Sequence, residues 1–166
     1  QEAAGIVSFD GRQFNAHRGL GHVGENFSSE DVMRRLKGHS AIGHVRYATT
    51  GETILRNVQP LFAEQESGGF AIAHNGNLTN GHTLRRELVG RGSLFQSTTD
   101  TEVITHLVAT SSRGGLIDRL VDALRQIEGA YSLVALTETA VIGVRDPLGV
   151  RPLVARLAGA AAERPF

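Results

Sequence analysis

The sequence contains no cysteine, so its 166 residues can form no disulfide, no thiolate metal site and no cysteine nucleophile. No apolar run approaches the roughly 18 residues of a membrane span, and residues 1–5 have neither the basic start nor the apolar stretch of a signal peptide. Neither sign of charge is in excess, since Lys plus Arg and Asp plus Glu number 17 each. Neither nucleic acid nor a membrane is therefore expected as a partner, and these absences are compatible with a cytoplasmic protein.

Size and composition favour a single folded domain. The chain has 166 residues, of which 40% are apolar and 20% are charged, and this is enough to bury a sizeable core. Patterns typical of strands come first, patterns typical of helices follow, and further strand patterns come last. That order predicts an α+β fold with antiparallel sheets, because a parallel sheet requires strands and helices to alternate.

Local signals set the bounds of the expected elements. Asp10-Gly11, between two short runs of strand-forming residues, predicts a hairpin with a two-residue turn. Ser28 or Ser29 is suited to cap a helix that runs to about Leu36. The other expected elements are strands at 41–47, 69–74, 130–136, 141–144 and 150–156, irregular chain at 52–68, and helices at 79–89, 99–108 and 116–127.

An arginine stands where the predicted strand 41–47 gives way to a turn. Arg46 is followed by Tyr47 and by a Thr- and Gly-rich stretch from Ala48 to Gly51. A guanidinium in this position can hold a carboxylate through two parallel hydrogen bonds. The alternative is a surface arginine before a turn, since arginines are commonly exposed.

The predicted strand 69–74 runs directly into an Asn-Gly pair, Asn75 and Gly76. The side-chain amide of Asn75 and the unhindered N–H of Gly76 can together form an oxyanion hole. The alternative is a tight turn, because Asn-Gly is a favoured turn pair. His74 is interpreted as a hydrogen-bonded structural residue, and no metal is expected, because no second ligand lies at metal-ligand spacing.

A third polar stretch, Ser97–Glu102, opens the predicted helix 99–108. Thr99 and Glu102 have the spacing of a capping box, whereas Asp100 can face a ligand and pair with an ammonium group. The two roles do not exclude each other. A cation, an anion and an oxyanion hole in one pocket would suit a zwitterionic amino acid whose side chain carries an amide.

Four ordered motifs carry a resemblance to a known family. They are HVRYATTG at 44–51, AHNGNLTN at 73–80, TTDTE at 98–102 and RDPLGVRPL at 145–153. From Gln1 to about Leu153, the chain resembles the glutaminase domain of the amidophosphoribosyltransferase family, which belongs to the N-terminal-nucleophile hydrolases. The glutaminase domain of glucosamine-6-phosphate synthase is less similar, because it tends to have Trp at the position of Tyr47.

This resemblance implies a four-layer αββα sandwich, in which two antiparallel sheets lie between helices, and the hydrolysis of glutamine to glutamate and ammonia. It also implies a role for each motif residue. Arg46 would bind the α-carboxylate of glutamine, with Thr49 lining the same loop, and Asp100 would bind the α-ammonium group. Asn75 and Gly76 would be the catalytic donors that stabilise the oxyanion.

The resemblance further implies what accompanies this domain in the full-length protein. Residues 1–166 are expected to be the glutaminase domain, without the first strand and the N-terminal cysteine nucleophile of the family and without its phosphoribosyltransferase domain. That second domain would bind phosphoribosylpyrophosphate and Mg²⁺ and would use the ammonia to make phosphoribosylamine in de novo purine synthesis. The full-length protein is expected to be a homo-oligomer, and the sequence does not decide whether it carries an iron–sulfur cluster. The 166-residue chain is expected to need no cofactor and to be inactive alone.

Two other interpretations stay open. In one, the domain binds glutamine as a regulatory signal without hydrolysing it. In the other, the site is vestigial and the domain only packs against its neighbours. The presence of Arg46, Asn75, Gly76 and Asp100 together argues against a vestigial site.

Overall fold

The computed structural model describes residues 2–47, 54–66 and 68–156, which fold into two antiparallel sheets with helices. The strands are β1 (Ala3–Phe9), β2 (Phe14–Leu20), β3 (Ser40–Arg46), β4 (Leu61–Gln65), β5 (Gly68–Leu78), β6 (Gly129–Thr137) and β7 (Val141–Arg145). The helices are α1 (Val23–Asn26), α2 (Glu30–Arg35), α3 (Gly81–Gly90), α4 (Asp100–Thr110) and α5 (Leu116–Leu124), with a 3₁₀ turn at Leu55–Asn57.

Sheet A has the strand order β2–β1–β3. Its β1–β2 hairpin confirms the turn signal of Asp10-Gly11. The loop has four residues, 10–13, and not two, because the last residue of β1 pairs with the first residue of β2. Oδ1 of Asp10 accepts the N–H groups of Arg12 and Gln13, both at 2.9 Å, and so stabilises the wider loop.

Sheet B has the strand order β4–β5–β6–β7. Its longest strand is β5, with 11 residues, and the Asn75-Gly76 pair lies inside that strand. A tight turn at this pair is therefore the wrong alternative. The strand continues because β6 runs alongside β5 as far as Leu78 and supplies backbone partners that the local sequence does not reveal.

Two apolar layers hold the sheets and helices together. Between the sheets, Val7, Phe9 and Ile42 pack against Ala71 and Leu136. On the other face of sheet B, a larger cluster joins the sheet to α3, α4 and α5, while the short helices α1 and α2 lie against sheet A. This arrangement confirms the expected α+β sandwich of two antiparallel sheets with helices.

Three further expected elements differ from the structure. Residues 61–65, within the range expected to be irregular, form β4, because they pair with the first half of β5. Residues 150–156, expected to be a strand, are not assigned to one, and no described strand pairs with them. Helix α5 ends at Leu124 and not at Ile127, although the side chain of Ile127 still belongs to the core cluster.

Candidate functional site

The three predicted site segments meet at one end of the sandwich. A cleft of about 820 Å³ opens there between the end of β3, the second half of β5 and the beginning of α4. Arg46, Asn75, Gly76 and Asp100 all line this cleft. The structure thus brings together every predicted site residue that it describes, whereas Thr49 lies outside the described residues.

Arg46 reaches the cleft from the last position of β3. Its backbone is held at the edge of sheet A, where its carbonyl accepts the N–H of Glu2 at 2.9 Å. Its side-chain Nε is buried and has no hydrogen-bond partner among the described residues. Buried polar groups are normally paired, so this N–H marks a place for an acceptor such as a carboxylate.

The direction of the Gly76 N–H follows from its neighbours in β5. Alternate residues of an antiparallel strand direct their N–H and C=O groups to the same side. The N–H of His74 donates to Oε1 of Gln59 at 2.7 Å, and the N–H of Leu78 donates to Oδ2 of Asp100 at 3.0 Å. Gly76 lies between these two, so its N–H points to that same side, past the start of β4 and toward the cleft.

Glycine is required at position 76 by the closeness of β5 to β6. Gly76 has φ +152°, and a Cβ there would lie 2.2 Å from the carbonyl oxygen of Ala130 and 2.7 Å from Cα of Tyr131. Both atoms belong to the backbone of β6, so they cannot move aside without opening the sheet. The glycine therefore permits the strand pairing and leaves its own N–H unhindered.

Asp100 is the first residue of α4. Thr99 precedes it as the N-cap residue, but the Thr99 side chain makes no capping hydrogen bond, so the expected capping box is wrong. Glu102 instead accepts the N–H groups of Gln96 and Ser97, at 2.7 and 2.6 Å. These bonds fold the preceding stretch back onto α4 and leave the Asp100 carboxylate facing the cleft, where the helix N-terminus favours its charge.

Burial favours the neutral form of two histidines of the cleft, His44 and His74. Burial lowers the pKa of His74 from 6.5 to about 4. Burial, together with the charge of Arg46, also lowers the pKa of His44. Nε2 of His74 and Nδ1 of His44 are buried without a partner among the described residues. The side-chain hydrogen bonding expected of His74 is therefore absent at Nε2.

Arg151 also lines the cleft and is not among the predicted site residues. Its place depends on Asp146, whose two carboxylate oxygens accept the N–H groups of Val150 and Arg151, each at 3.0 Å. The hydrogen bond from Arg151 is the largest of the effects that hold the pKa of Asp146 below its ordinary value. Asp146 and Arg151 both belong to the RDPLGVRPL motif, but the local pattern of that motif indicates only a turn and does not indicate that Arg151 faces a ligand.

The charges that surround the cleft are of both signs. Among the described residues that line it, Arg46 and Arg151 carry positive charge and Asp100 carries negative charge. The described part of the chain contains no group of three or more His, Asp or Glu side chains placed to hold a metal ion. Within the same ranges, no helix has the length and apolar character needed to cross a bilayer.

Comparison with known proteins gives concordant matches. The family model described as a glutamine amidotransferase domain matches residues 44–162. The amidophosphoribosyltransferase of Rhizobium etli is 57% identical over 154 residues, which cover 93% of this chain and 31% of that protein. The amidophosphoribosyltransferase of Lacticaseibacillus casei is 43% identical over 154 residues, which cover 93% of this chain and 79% of that protein.

A solved structure extends the match to the fold. The glutamine phosphoribosylpyrophosphate amidotransferase of Bacillus subtilis, complexed with ADP and GMP, is similar with a TM-score of 0.84 and 44% identity, over 92% of this chain and 32% of that one. This chain thus spans about a third of the length of the Rhizobium etli and Bacillus subtilis proteins. Sequence, fold and family model agree, and the chain belongs to the glutamine amidotransferase domains of the amidophosphoribosyltransferase family.

Proposed function

We propose that this domain hydrolyses the side-chain amide of glutamine to glutamate and ammonia, as part of an amidophosphoribosyltransferase. The observation that carries the proposal is the convergence of Arg46, Asp100 and the Asn75-Gly76 pair on one cleft. A cation and an anion match the α-carboxylate and α-ammonium groups of a free amino acid. The amide pair matches the oxyanion that forms when the side-chain amide is attacked.

Each group of the cleft has a proposed role in this reaction. Arg46 binds the α-carboxylate, Thr49 contributes to the binding of glutamine, and Asp100 binds the α-ammonium group. Nδ2 of Asn75 and the N–H of Gly76 donate to the oxyanion, and one such donor contributes about 3–4 kcal/mol to catalysis. Because Gly76 belongs to a paired strand, its N–H is already in place before the substrate arrives, so no further ordering of that group is needed.

The remaining parts of the reaction are proposed to lie outside these residues. From the resemblance to the family, we take the nucleophile to be the thiol of an N-terminal cysteine in the full-length protein; the 166 residues contain no cysteine. Residues 1–166 are then the glutaminase domain, and its ammonia passes to a phosphoribosyltransferase domain that binds phosphoribosylpyrophosphate with Mg²⁺ and makes phosphoribosylamine for purine synthesis. The size of the relatives supports this division, because the chain covers 31% of the Rhizobium etli enzyme. We place the full-length protein in the cytoplasm as a homo-oligomer.

Glutamine hydrolysis by the full-length protein tests this proposal. We expect glutamate and ammonia in equal amounts, and a kcat that falls about 10²–10³-fold in Asn75→Ala with little change in KM. The 166-residue chain serves as the control without a thiol and is expected to release no ammonia above background. Glutamine binding without any hydrolysis by the full-length protein would indicate a regulatory domain instead, and an unchanged kcat in Asn75→Ala would remove the oxyanion role of that residue.

A further inference from the structure

A buried segment, Asn57–Gln59, connects the 3₁₀ turn to the region just before β4; we refer to it as the strap. It carries two carboxamide side chains, and Asn57 and Gln59 are only 2% and 5% exposed. A buried side-chain amide destabilises a fold unless its donor and acceptor are hydrogen bonded. Both carboxamides are bonded in this way, and both bind residues that form the walls of the cleft.

Gln59 extends the β4–β5 ladder with its side chain. The register of that ladder, continued by two residues, puts Gln59 opposite His74. Its Oε1 accepts the N–H of His74 at 2.7 Å, and its Nε2 donates to the carbonyl of His74 at 3.4 Å. The carboxamide thus binds both backbone groups of the residue that directly precedes the oxyanion donors Asn75 and Gly76.

Asn57 makes the same two-way contact with the other wall of the cleft. Its Nδ2 donates to Oγ1 of Thr98 at 3.0 Å, and its Oδ1 accepts the N–H of Thr98 at 3.1 Å. Thr98 lies two residues before Asp100. Asn57 therefore fixes the approach to α4, the helix that presents the Asp100 carboxylate to the cleft.

Sheet A holds the backbone of the strap from the opposite side. The carbonyl of Val58 accepts a hydrogen bond from Nη1 of Arg18 at 3.3 Å, and the Val58 residue is completely buried. Gly5 of β1 lies so close that a Cβ there would be 2.3 Å from the carbonyl oxygen of Gln59. Because the backbone is fixed by one sheet, the two carboxamides set the positions of the cleft walls relative to that sheet.

We propose that Gln59 and Asn57 are positioning residues for glutamine hydrolysis: Gln59 holds the oxyanion donors in place, and Asn57 holds Asp100. This inference rests on the proposed function. The two roles have different kinetic consequences. Displaced oxyanion donors weaken binding of the transition state and lower kcat, whereas a displaced Asp100 weakens binding of the substrate and raises KM.

Steady-state kinetics of the full-length protein test the two roles with apolar variants of similar size. Gln59→Met should lower kcat about 10–100-fold with KM within about threefold, since a displacement of about 1 Å in a catalytic site can reduce the rate about 10²-fold. Asn57→Leu should raise KM for glutamine about 10-fold or more, with kcat within about threefold.

Asn80→Leu is the matched control. The carboxamide of Asn80 does not line the cleft, and it makes a similar two-way contact, donating to the carbonyl of Gln126 at 2.8 Å and accepting the N–H of Glu128 at 3.0 Å. Loss of this contact should leave kcat and KM within about twofold of the unsubstituted protein. If Asn80→Leu is less thermally stable but has unchanged kcat and KM, loss of a structural contact alone does not explain the kinetic changes in Gln59→Met and Asn57→Leu.

Conservative variants keep the test decisive. Asn57→Asp keeps the acceptor for the N–H of Thr98, and its second oxygen can accept from the Thr98 hydroxyl, so it should restore KM almost to the unsubstituted value. Gln59→Glu keeps the acceptor for the N–H of His74 but sets its second oxygen against the His74 carbonyl, so it should restore only part of the lost kcat. If an apolar variant does not fold, the corresponding acidic variant should show the same change in kcat or KM at smaller size. A fall in kcat together with a rise in KM in every variant, Asn80→Leu included, would overturn the inference. Absence of hydrolysis in the unsubstituted protein overturns the proposed function, whereas hydrolysis without the kcat–KM split overturns the positioning roles alone.

Discussion

The backbone N–H of Leu78 donates to Oδ2 of Asp100 across 3.0 Å and joins the end of β5 to the first turn of α4. That bond needs an acceptor oxygen but no negative charge. Asp100→Asn should therefore keep the fold, because its side-chain oxygen can still accept from Leu78, while the α-ammonium group of glutamine loses its ionic partner. A hydrogen bond to a charged group contributes about 1.5–3 kcal/mol, so KM should rise about 10–100-fold with Tm nearly unchanged. An unaltered KM in steady-state kinetics would remove Asp100 from the ammonium site.

Arg46 is expected to depend on its shape as well as on its charge. Arg46→Lys keeps the charge but loses the two parallel donors, so KM for glutamine should rise about 10-fold, and Arg46→Ala should raise it about 100-fold or more. Arg34→Ala is the control, because Arg34 pairs with Asp31 on the exposed surface of α2 and should leave KM unchanged. Equal KM values for the Lys, Ala and unsubstituted proteins would contradict the carboxylate role.

Gly76→Ala should destabilise the domain, since the added methyl would overlap the backbone of β6 at Ala130. We expect the free energy of unfolding to fall by about 2–3 kcal/mol or more, because backbone strain at this position and opening of the β5–β6 ladder both contribute. At Gly90, the last residue of α3, an added Cβ would meet none of the described atoms within 4 Å. Gly90→Ala should therefore increase stability by up to about 1 kcal/mol. Chemical unfolding of both variants measures the difference, and equal midpoints would show that the β5–β6 contact is not tight.

His74 is expected to make the stability of the domain depend on pH. Its pKa is about 4 in the fold and has its ordinary value of 6.5 in the unfolded chain. Between those values the unfolded chain binds more protons, so this contribution is fully present above about pH 6.5 and is lost as the pH falls toward 4. The loss totals roughly 3 kcal/mol at about 1.4 kcal/mol per pH unit. The lowered pKa of His44 adds to the slope in the same direction.

Chemical unfolding at pH 7 and at pH 4.5 measures this dependence. His74→Gln cannot be protonated in this range, so its free energy of unfolding should change less between the two pH values than that of the unsubstituted protein. If the free energy of unfolding of His74→Gln changes between the two pH values as much as that of the unsubstituted protein, the pH dependence belongs to other groups.

Local sequence signals predicted those parts of the fold whose stabilising contacts are local. The hairpin at Asp10-Gly11 and the helices near their predicted bounds are examples, because turn and helix preferences act within a few residues. The Asn75-Gly76 pair suits both a turn and a strand, and only its pairing with β6 decides between them. Strand β4 was missed for the same reason, since its partner β5 supplies the hydrogen bonds.

The residues of the candidate site were easier to predict than the residues that hold them. Arg46, Asn75 and Asp100 stand in motifs whose chemistry is recognisable one residue at a time. Gln59 and Asn57 are not recognisable in that way, because their partners lie 15 and 41 residues away along the chain. A buried carboxamide and an exposed one look alike in a sequence, and only tertiary contacts distinguish them.

The residues that line the cleft are held in two ways, some within an interior strand and others at the end of a strand or helix, and the two groups differ in how readily they can be substituted. Asn75 and Gly76 lie in β5, an interior strand of sheet B, where they pair with β6 and directly follow His74, the residue that the strap holds. Arg46, in contrast, ends an edge strand, and Asp100 begins a helix. Altering β5 would disturb the core of sheet B, whereas Arg46 and Asp100 can each be replaced singly. Efforts to adapt this scaffold to amides that lack an α-carboxylate or an α-ammonium group should therefore begin at Arg46 or Asp100 and preserve the central strand.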